Sequence, residues 1–509
     1  MLLQARTGAP PEARIGSLAA VRRPSGETIA LVALVLLAAA LRFSTLTDQS
    51  YWLDEAQAAH ELGLSLPSML GAWSAAEWNP PLYLLVAWPW AHVLGTGPGA
   101  LRSLSALLGV GLVVLVYLCG RELVSGAAGL VAAALAAVDP FTIWYSQEAR
   151  EYSLLLVLCA ASLLSFARAH RAGARRDLLW WAVLSALAIL TQYFAGFLVF
   201  AEGALLLRRS RSRAALAACA AQVAVLVPFV PHLLPRLRQP ALFITSVPLG
   251  RRIQEVPVAF ALGPLDNSRG ASWGLLGAAA LAAIVIALLV AGAGERELRG
   301  AALAAALAGF VLVAPLALAL VGHDDYIARG LMPAWPPLAV VVGAAATAAR
   351  ARVPGAALAA VLVAAMAWGE AKVQSDPLYQ RPNWRGVAAA LGAQEGTRAI
   401  AAYPGQFATG PLSWYLPRVP WAGPGGRTPA GPVTVSELDV IANAAGPPPA
   451  PPAAARVIAA PVVDGYQIVR YALAAPVRGD AGALAALAER LFPVPGLAPQ
   501  VIVQRAAPR

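Results

Sequence analysis

Charge is what this sequence has least of. Asp, Glu, Lys and Arg make up 13% of its 509 residues, against roughly 25% in ordinary soluble domains, and 59% are hydrophobic. With a mean hydropathy of +0.64, that balance excludes a soluble globular protein. Cysteine is nearly absent too. Cys119, Cys159 and Cys219 all lie in or at the ends of apolar runs without metal-ligand spacing, so they read as small packing residues and not as a disulfide framework. No HExxH and no phosphate-binding GxxxxGK[ST] loop occurs, which argues against a zincin protease and a nucleotide-driven pump. No Ser/His/Asp arrangement points to acyl transfer, and no internal repeat stands out.

What the sequence has is long Ala/Leu/Val runs, the mark of a polytopic membrane protein. Eleven spans are predicted, at about 27–46, 102–119, 126–142, 150–167, 177–191, 193–207, 214–231, 272–292, 300–321, 331–349 and 354–371. The first follows an arginine-bearing tail with no clear cleavage site and reads as a retained span after a cytoplasmic segment, 1–26. The net charge of +11 sits as short arginine clusters between apolar runs, an orientation signal and not a nucleic-acid patch. One apolar segment, 80–94, decides the topology. If it does not cross, the loops with Arg121, Arg168 to Arg176, Arg208 to Arg213, Arg296, Arg299, Arg350 and Arg352 share the side of Arg22 and Arg23. If it crosses, all of them move outside, against the positive-inside rule. The segment is therefore read as an outer juxtamembrane helix, with Tyr83, Trp88 and Trp90 suited to the interfacial belt.

After the last span the composition changes. Strands are expected in TRAIAAYPG, ARVIAAPVV, YQIVRYAL and QVIVQR, with an amphipathic helix in GALAALAERLF; the intervening Pro/Gly-rich stretch includes the low-complexity segment 446–455. The expected fold is thus an all-α membrane bundle over 27–371 and a small extracytoplasmic α/β domain over 372–509.

In this topology four polar clusters meet on the outer face. They are Asp54-Glu55; Glu77-Trp78-Asn79; 144–152, with Glu148, Arg150, Glu151 and Tyr152; and His323 to Tyr326 with Arg329. Singly, each reads equally as a solvated turn or helix start. Acids, arginine and aromatics converging on one membrane face raise the case for chemistry. A carboxylate can take the proton of an acceptor hydroxyl, and arginines or a divalent cation can stabilise a departing phosphate.

The order of motifs carries a resemblance. An Asp-Glu pair in the first outer loop is followed by PPLY, LRSLSALLG, DPFTIWYSQEAREYSLLL and, late, DDYIARGLMPAWPPL. This resembles the GT-C membrane glycosyltransferases, in the bacterial branch related to protein mannosyltransferases and lipid A aminoarabinose transferase. The resemblance covers nearly all of the span region, and NWRGVAAAL looks like the start of that branch's outer domain. It implies inverting transfer of a sugar from a polyprenyl-phosphate donor to a lipid, glycan or protein acceptor. Asp54 would be the general base and Glu55 its catalytic neighbour. Glu77, Asn79, Tyr83, Glu148, Arg150, Tyr152, Tyr326 and Arg329 would contact the donor phosphate or substrate, with Asn79 standing where relatives often carry His or Lys. A divalent metal on Asp54, Glu77 and Glu148 is kept open as a cofactor. The expected partners besides donor and acceptor are membrane lipids, and the cell membrane is the expected location. The alternative is a transporter or flippase of a lipid-linked glycan, which would place its ionisable groups near the bilayer midplane.

Overall fold

The computed structural model describes residues 25–237, 242–265, 271–394, 396–422, 431–443 and 453–506. The expected tail before residue 25, Glu395 and most of the 446–455 segment lie outside the described residues. The first helix, α1 (Gly26–Phe43), starts on Ser25, whose side chain accepts the Thr28 N–H. Three short helices follow: α2 (Leu53–Leu62), α3 (Leu66–Ala76) and α4 (Leu82–Leu94). At 13 residues α4 spans about 20 Å, too little for a ~30 Å hydrocarbon core, which agrees with the juxtamembrane reading. Next come α5 (Pro98–Leu123), α6 (Gly126–Val138), α7 (Pro140–Ser146) and α8 (Tyr152–Ala172). A Cβ on Gly120 would meet the Gly129 Cα at 2.6 Å, so α5 and α6 pack backbone to backbone. Then follow α9 (Arg175–Thr191), α10 (Ala195–Arg209), α11 (Arg213–Leu226), α12 (Val230–Leu237), α13 (Leu242–Thr245) and α14 (Leu249–Leu262). The bundle closes with α15 (Ala271–Gly292), α16 (Glu295–Leu320), a 3-10 turn at Ala328–Ala334, α17 (Trp335–Ala346) and α18 (Arg352–Ser375).

Every expected span falls on one of these helices. Among the described residues, seven are long and apolar enough to cross a membrane: α1, α5, α8, the α11–α12 stretch Arg213–Pro235, α15, α16 and α18. The pair α6–α7, bent by 58°, makes an eighth. By length and apolarity the crossings number seven or eight, below the expected eleven. The difference lies in α9, α10 and α17, of 17, 15 and 12 residues, against the ~20 a bilayer calls for. The chain is a multi-pass membrane protein.

The bend between α6 and α7 follows from the sequence. Pro140 disfavours helix at Asp139 and opens the next helix at its first position, while the Asp139 carboxylate caps the Thr142 N–H at 3.0 Å. Buried Arg42 on α1 donates to the carbonyls of Ala136 and Ala137, 2.8 and 3.1 Å away, where the α6 ladder ends. At the other end of the bundle Glu122 on α5 pairs with Arg168 and Arg171 on α8.

The C-terminal domain is a three-layer α/β unit. Its sheet has the order β3 (Ala455–Ala459), β5 (Tyr466–Gly479), β2 (Val433–Ala442), β1 (Arg398–Tyr403), β6 (Gln500–Gln504), with β4 (Val462–Val463) pairing β5. Only β1–β2 is parallel. The helix α21 (Ala481–Leu491) covers one face, and α19 (Trp384–Ala390) and α20 (Gly405–Tyr415) the other. The sequence reading omitted α20 and the central strand β2. Both lie in the Pro/Gly-rich stretch, and β2 carries Glu437 and Asp439 at buried positions.

Candidate active site

The site gathers where the N-terminal ends of α2 and α8 meet the chain leaving α18. Asp54 and Glu55 occupy the first turn of α2, after Trp52. They are neighbours with opposite environments.

Glu55 is fully buried. Its Oε1 and Oε2 accept from Arg102 Nε and Nη2 at 2.7 and 2.6 Å, and Oε1 also accepts the Ala149 N–H at 2.9 Å. The remaining Arg102 donors reach the carbonyls of Leu46, Gln49 and Ser50, so this arginine, at the start of α5, pins the loop before α2. Burial works against the Glu55 charge, but Arg102 and Arg381 hold its carboxyl below the usual range. Both oxygens of Glu55, expected as the catalytic neighbour of Asp54, are thus engaged.

Asp54 is half-buried, and its side chain accepts no hydrogen bond from any described residue and forms no ion pair with one. Burial pushes its carboxyl up, Glu77 and Glu55 add to the rise, and Arg150 and Arg329 pull it back down. Arg329 lies in the 3-10 turn before α17. It has no hydrogen-bond or ion-pair partner among the described residues, only the Phe243 ring 5.4 Å from its guanidinium carbon. Its pKa is raised by Tyr152 and Tyr145, then by Asp54 and Glu148.

The other predicted groups form a connected network. Arg150 donates to both oxygens of Glu77, at 2.8 and 3.2 Å, and its Nε lies 3.0 Å from Glu151 Oε2. Asn79 donates to Glu151 Oε1 at 2.8 Å, so it orders this network. Tyr83 and Tyr152 are buried, Tyr152 edge-on to Tyr145. Tyr326 is buried, and its carbonyl accepts from Arg252, which also grips Asp324 through two bonds. The turn before Arg329 is thereby fixed to α14.

Two contributors escaped the sequence reading. Arg381, beyond α18, lies over the Trp144 ring at 4.1 Å and donates to Glu148 Oε2 at 3.0 Å, with its Nε 3.9 Å from Glu55 Oε2. Burial nevertheless pushes the Glu148 carboxyl up to about 7, and Glu148 Oε1 has no hydrogen-bond partner. Glu61, two turns beyond Asp54, takes the Gln57 amide on one oxygen and nothing on the other. Burial and then Glu77 raise it to about 7. Arg381 had no local signal because it sits outside the motifs of the spans. Glu61 had one, its spacing of seven from Asp54 on one helix face.

Of the three carboxylates expected to hold a divalent cation, Asp54 is uncommitted and the other two are engaged. Both oxygens of Glu77 and one of Glu148 are engaged by arginine, and among the described residues no group of three or more His, Cys, Asp or Glu is arranged to hold a metal.

Comparison with solved structures places the architecture. ArnT from Cupriavidus metallidurans bound to undecaprenyl phosphate superposes with a TM-score of 0.52 at 13% identity, over 88% of this chain and 98% of that one. The apo state of the same protein gives 0.53 at 14% identity over the same shares. The fold is that of the GT-C membrane glycosyltransferases. The family model for dolichyl-phosphate-mannose-protein mannosyltransferases matches residues 78–234, which include Asn79, Tyr83, Glu148, Arg150 and Tyr152. The S. cerevisiae protein O-mannosyltransferase Pmt1-Pmt2 complex bound to the sugar donor aligns over 42% of this chain and 33% of its own, at 21% identity and a TM-score of 0.33. No curated protein matches the sequence. The GT-C resemblance read from the motifs thus extends to the fold.

Proposed function

We propose that the chain transfers a sugar from a polyprenyl-phosphate donor to a lipid, glycan or protein acceptor on the outer face of the cell membrane, with inversion. The observation that carries the reading is Asp54 with Arg329 in its field, each without a hydrogen-bond or ion-pair partner among the described residues, inside a shell in which Glu55, Glu77 and Glu148 are each paired to an arginine. An arginine free of acidic partners suits a phosphate, and an acid free of donors suits a proton.

In the reaction the acceptor hydroxyl oxygen attacks the anomeric carbon and its proton passes to Asp54. The bond from that carbon to the phosphate oxygen breaks, and the electron pair leaves on the polyprenyl phosphate. Arg329 stabilises the charge that gathers there, with Arg150 behind it. Glu55 and Arg102 keep the first turn of α2 in place, and Glu148 with Arg381 flanks it. Undecaprenyl phosphate, bound by the C. metallidurans ArnT of the same fold, is the model for the leaving group. The grouping of basic loops at the opposite end supports an outward-facing site, with the C-terminal domain outside.

The test is transfer from a polyprenyl-phosphate sugar donor in membranes carrying Asp54→Asn protein at wild-type abundance. Loss of transfer is expected; unaltered transfer overturns the assignment of the base.

A further inference from the structure

The C-terminal domain carries a second polar cavity, which the transfer reading does not use. It measures about 380 Å³ and lies among α19, the turn after it, the start of β1, the end of α20 and the end of β6. Its polar walls are Arg385, Arg398, Arg418, Gln394, Gln504 and Tyr415, and among the described residues no carboxylate lines it. The volume falls in the range of small-ligand clefts, roughly 300–1,000 Å³.

The three arginines differ. Arg398 is wall. It is buried, ion-paired to Asp439 at 3.1 Å, and bonded to Gln504 and to the carbonyls of Leu391 and Gly392. Arg385 and Arg418 have no acidic partner among the described residues. Arg385 donates from Nη2 to the carbonyls of Thr47 and Asp48, and Arg418 from Nε to the Arg505 carbonyl, which leaves guanidinium N–H groups on each uncommitted. Arg418 is also held at φ 61, in the left-handed region a non-glycine residue rarely adopts. Beside them the Gln394 Oε1 is shut off from solvent without a hydrogen-bond partner. Two unmatched cations favour an anion. Ala388, Ala389, Gly392 and Pro417 leave low walls against which a sugar ring can lie.

We infer that this cavity is a binding site for a sugar or polyol bearing a phosphate or carboxylate, whether a soluble glycan fragment or the headgroup of a lipid. Its position gives it a consequence for the membrane domain. Arg385 holds the loop at Thr47 and Asp48, and the Tyr415 hydroxyl accepts the Tyr51 N–H at 2.8 Å, three residues before Asp54. An occupant of the cavity therefore touches the residues that fasten the C-terminal domain to the loop leading into α2. If the chain is the transferase proposed above, the natural occupant is an anionic part of the acceptor; the binding claim itself does not depend on that reading.

The experiment is calorimetric titration of the full-length protein in lipid nanodiscs with glucose 6-phosphate, glucuronate, glucose and inorganic phosphate. A second titration uses nanodiscs that contain phosphatidylinositol. Glucose 6-phosphate or glucuronate is expected to bind at least tenfold more tightly than glucose or inorganic phosphate, and Arg418→Ala to weaken that binding at least tenfold with partial recovery in Arg418→Lys. Loss of the soluble ligands' binding in phosphatidylinositol discs, abolished by Arg418→Ala, assigns a lipid headgroup and also supports the site. Equal binding of glucose, equal binding of inorganic phosphate, or binding that is unchanged in Arg418→Ala and in the Arg385→Ala/Arg418→Ala pair overturns the inference. Arg418→Ala lies outside the α2 cluster, so a protein that loses this binding but still transfers sugar to a neutral acceptor separates failure of one reading from failure of the other.

Discussion

Two groups of acids and arginines in this protein look alike on paper and behave differently. In the C-terminal sheet, Arg398 on β1, Glu437 and Asp439 on β2 and Arg470 on β5 stand on one face of three adjacent strands. Each charge meets an opposite one: Arg398 to Asp439 at 3.1 Å and Arg470 to Glu437 at 2.5 Å. At the bundle end the pairs Glu55–Arg102, Glu77–Arg150 and Glu148–Arg381 are just as tight, but among the described residues Asp54, Arg329 and one oxygen each of Glu61 and Glu148 are left over. In the sheet each arginine lies within ion-pair distance of an acid and each acid within that distance of an arginine, although burial and then Glu437 push the Asp439 carboxyl up and neither of its oxygens accepts a hydrogen bond. The bundle end keeps an acid and a cation whose best partners are absent. The imperfection in the pairing is what the proposed catalytic reading rests on.

That contrast can be broken, and the largest effect belongs to the unpaired acid. Asp54→Asn is expected to lower transfer by about 10²–10⁴-fold, the usual span for removal of a general base, with thermal unfolding in detergent unchanged. Glu55→Ala should do the reverse of that pattern. It strands Arg102 in a buried site, and stability should fall by about 3–5 kcal/mol in the same unfolding assay. Within the sheet, Arg470→Ala should cost about 1.5–3 kcal/mol while transfer per folded molecule stays at the wild-type value. The smallest effect is on pH dependence. As the proposed base Asp54 works deprotonated, and burial sets its pKa above the ordinary carboxylate range, so transfer is expected to fall as pH drops through that raised value. Arg329→Ala removes a cation that favours the charged form, and the acid limb of the pH–rate profile should move to higher pH. A limb that stays in place would separate Arg329 from Asp54 and leave the pairing contrast without its central member.

The membrane region was legible because bilayer thickness imposes one simple signal, and apolar run length finds it wherever a helix is long. The signal fades at α17, where 12 helical residues follow a 3-10 turn, and at α9 and α10, which are short and joined by a tight turn at Gln192. Site residues near the spans were legible as charges where charge is rare. Their division of labour was not. Asp54 and Glu55 are adjacent in sequence and face different surroundings, because a 100° rotation per residue turns Glu55 toward Arg102 and Asp54 away from it. Arg381 depends on a contact across 233 residues, which no local pattern encodes. β2 was missed for a related reason: Glu437 and Asp439 look like surface residues until Arg398 and Arg470 arrive from neighbouring strands.

The reach of Arg381 has a temporal side. A chain made from its N-terminus lays down Asp54, Glu55 and Glu148 long before the arginine that pairs with Glu148. Over a stretch of 233 residues of synthesis Glu148 is an acid without its counter-charge, and uptake of a proton is the simplest way for a buried carboxyl to wait. Only when the segment beyond the last membrane helix emerges and folds back does the constellation become electrically complete. Assembly of this cluster thus waits for Arg381, and a copy that ends before it would hold Glu148 without its counter-charge.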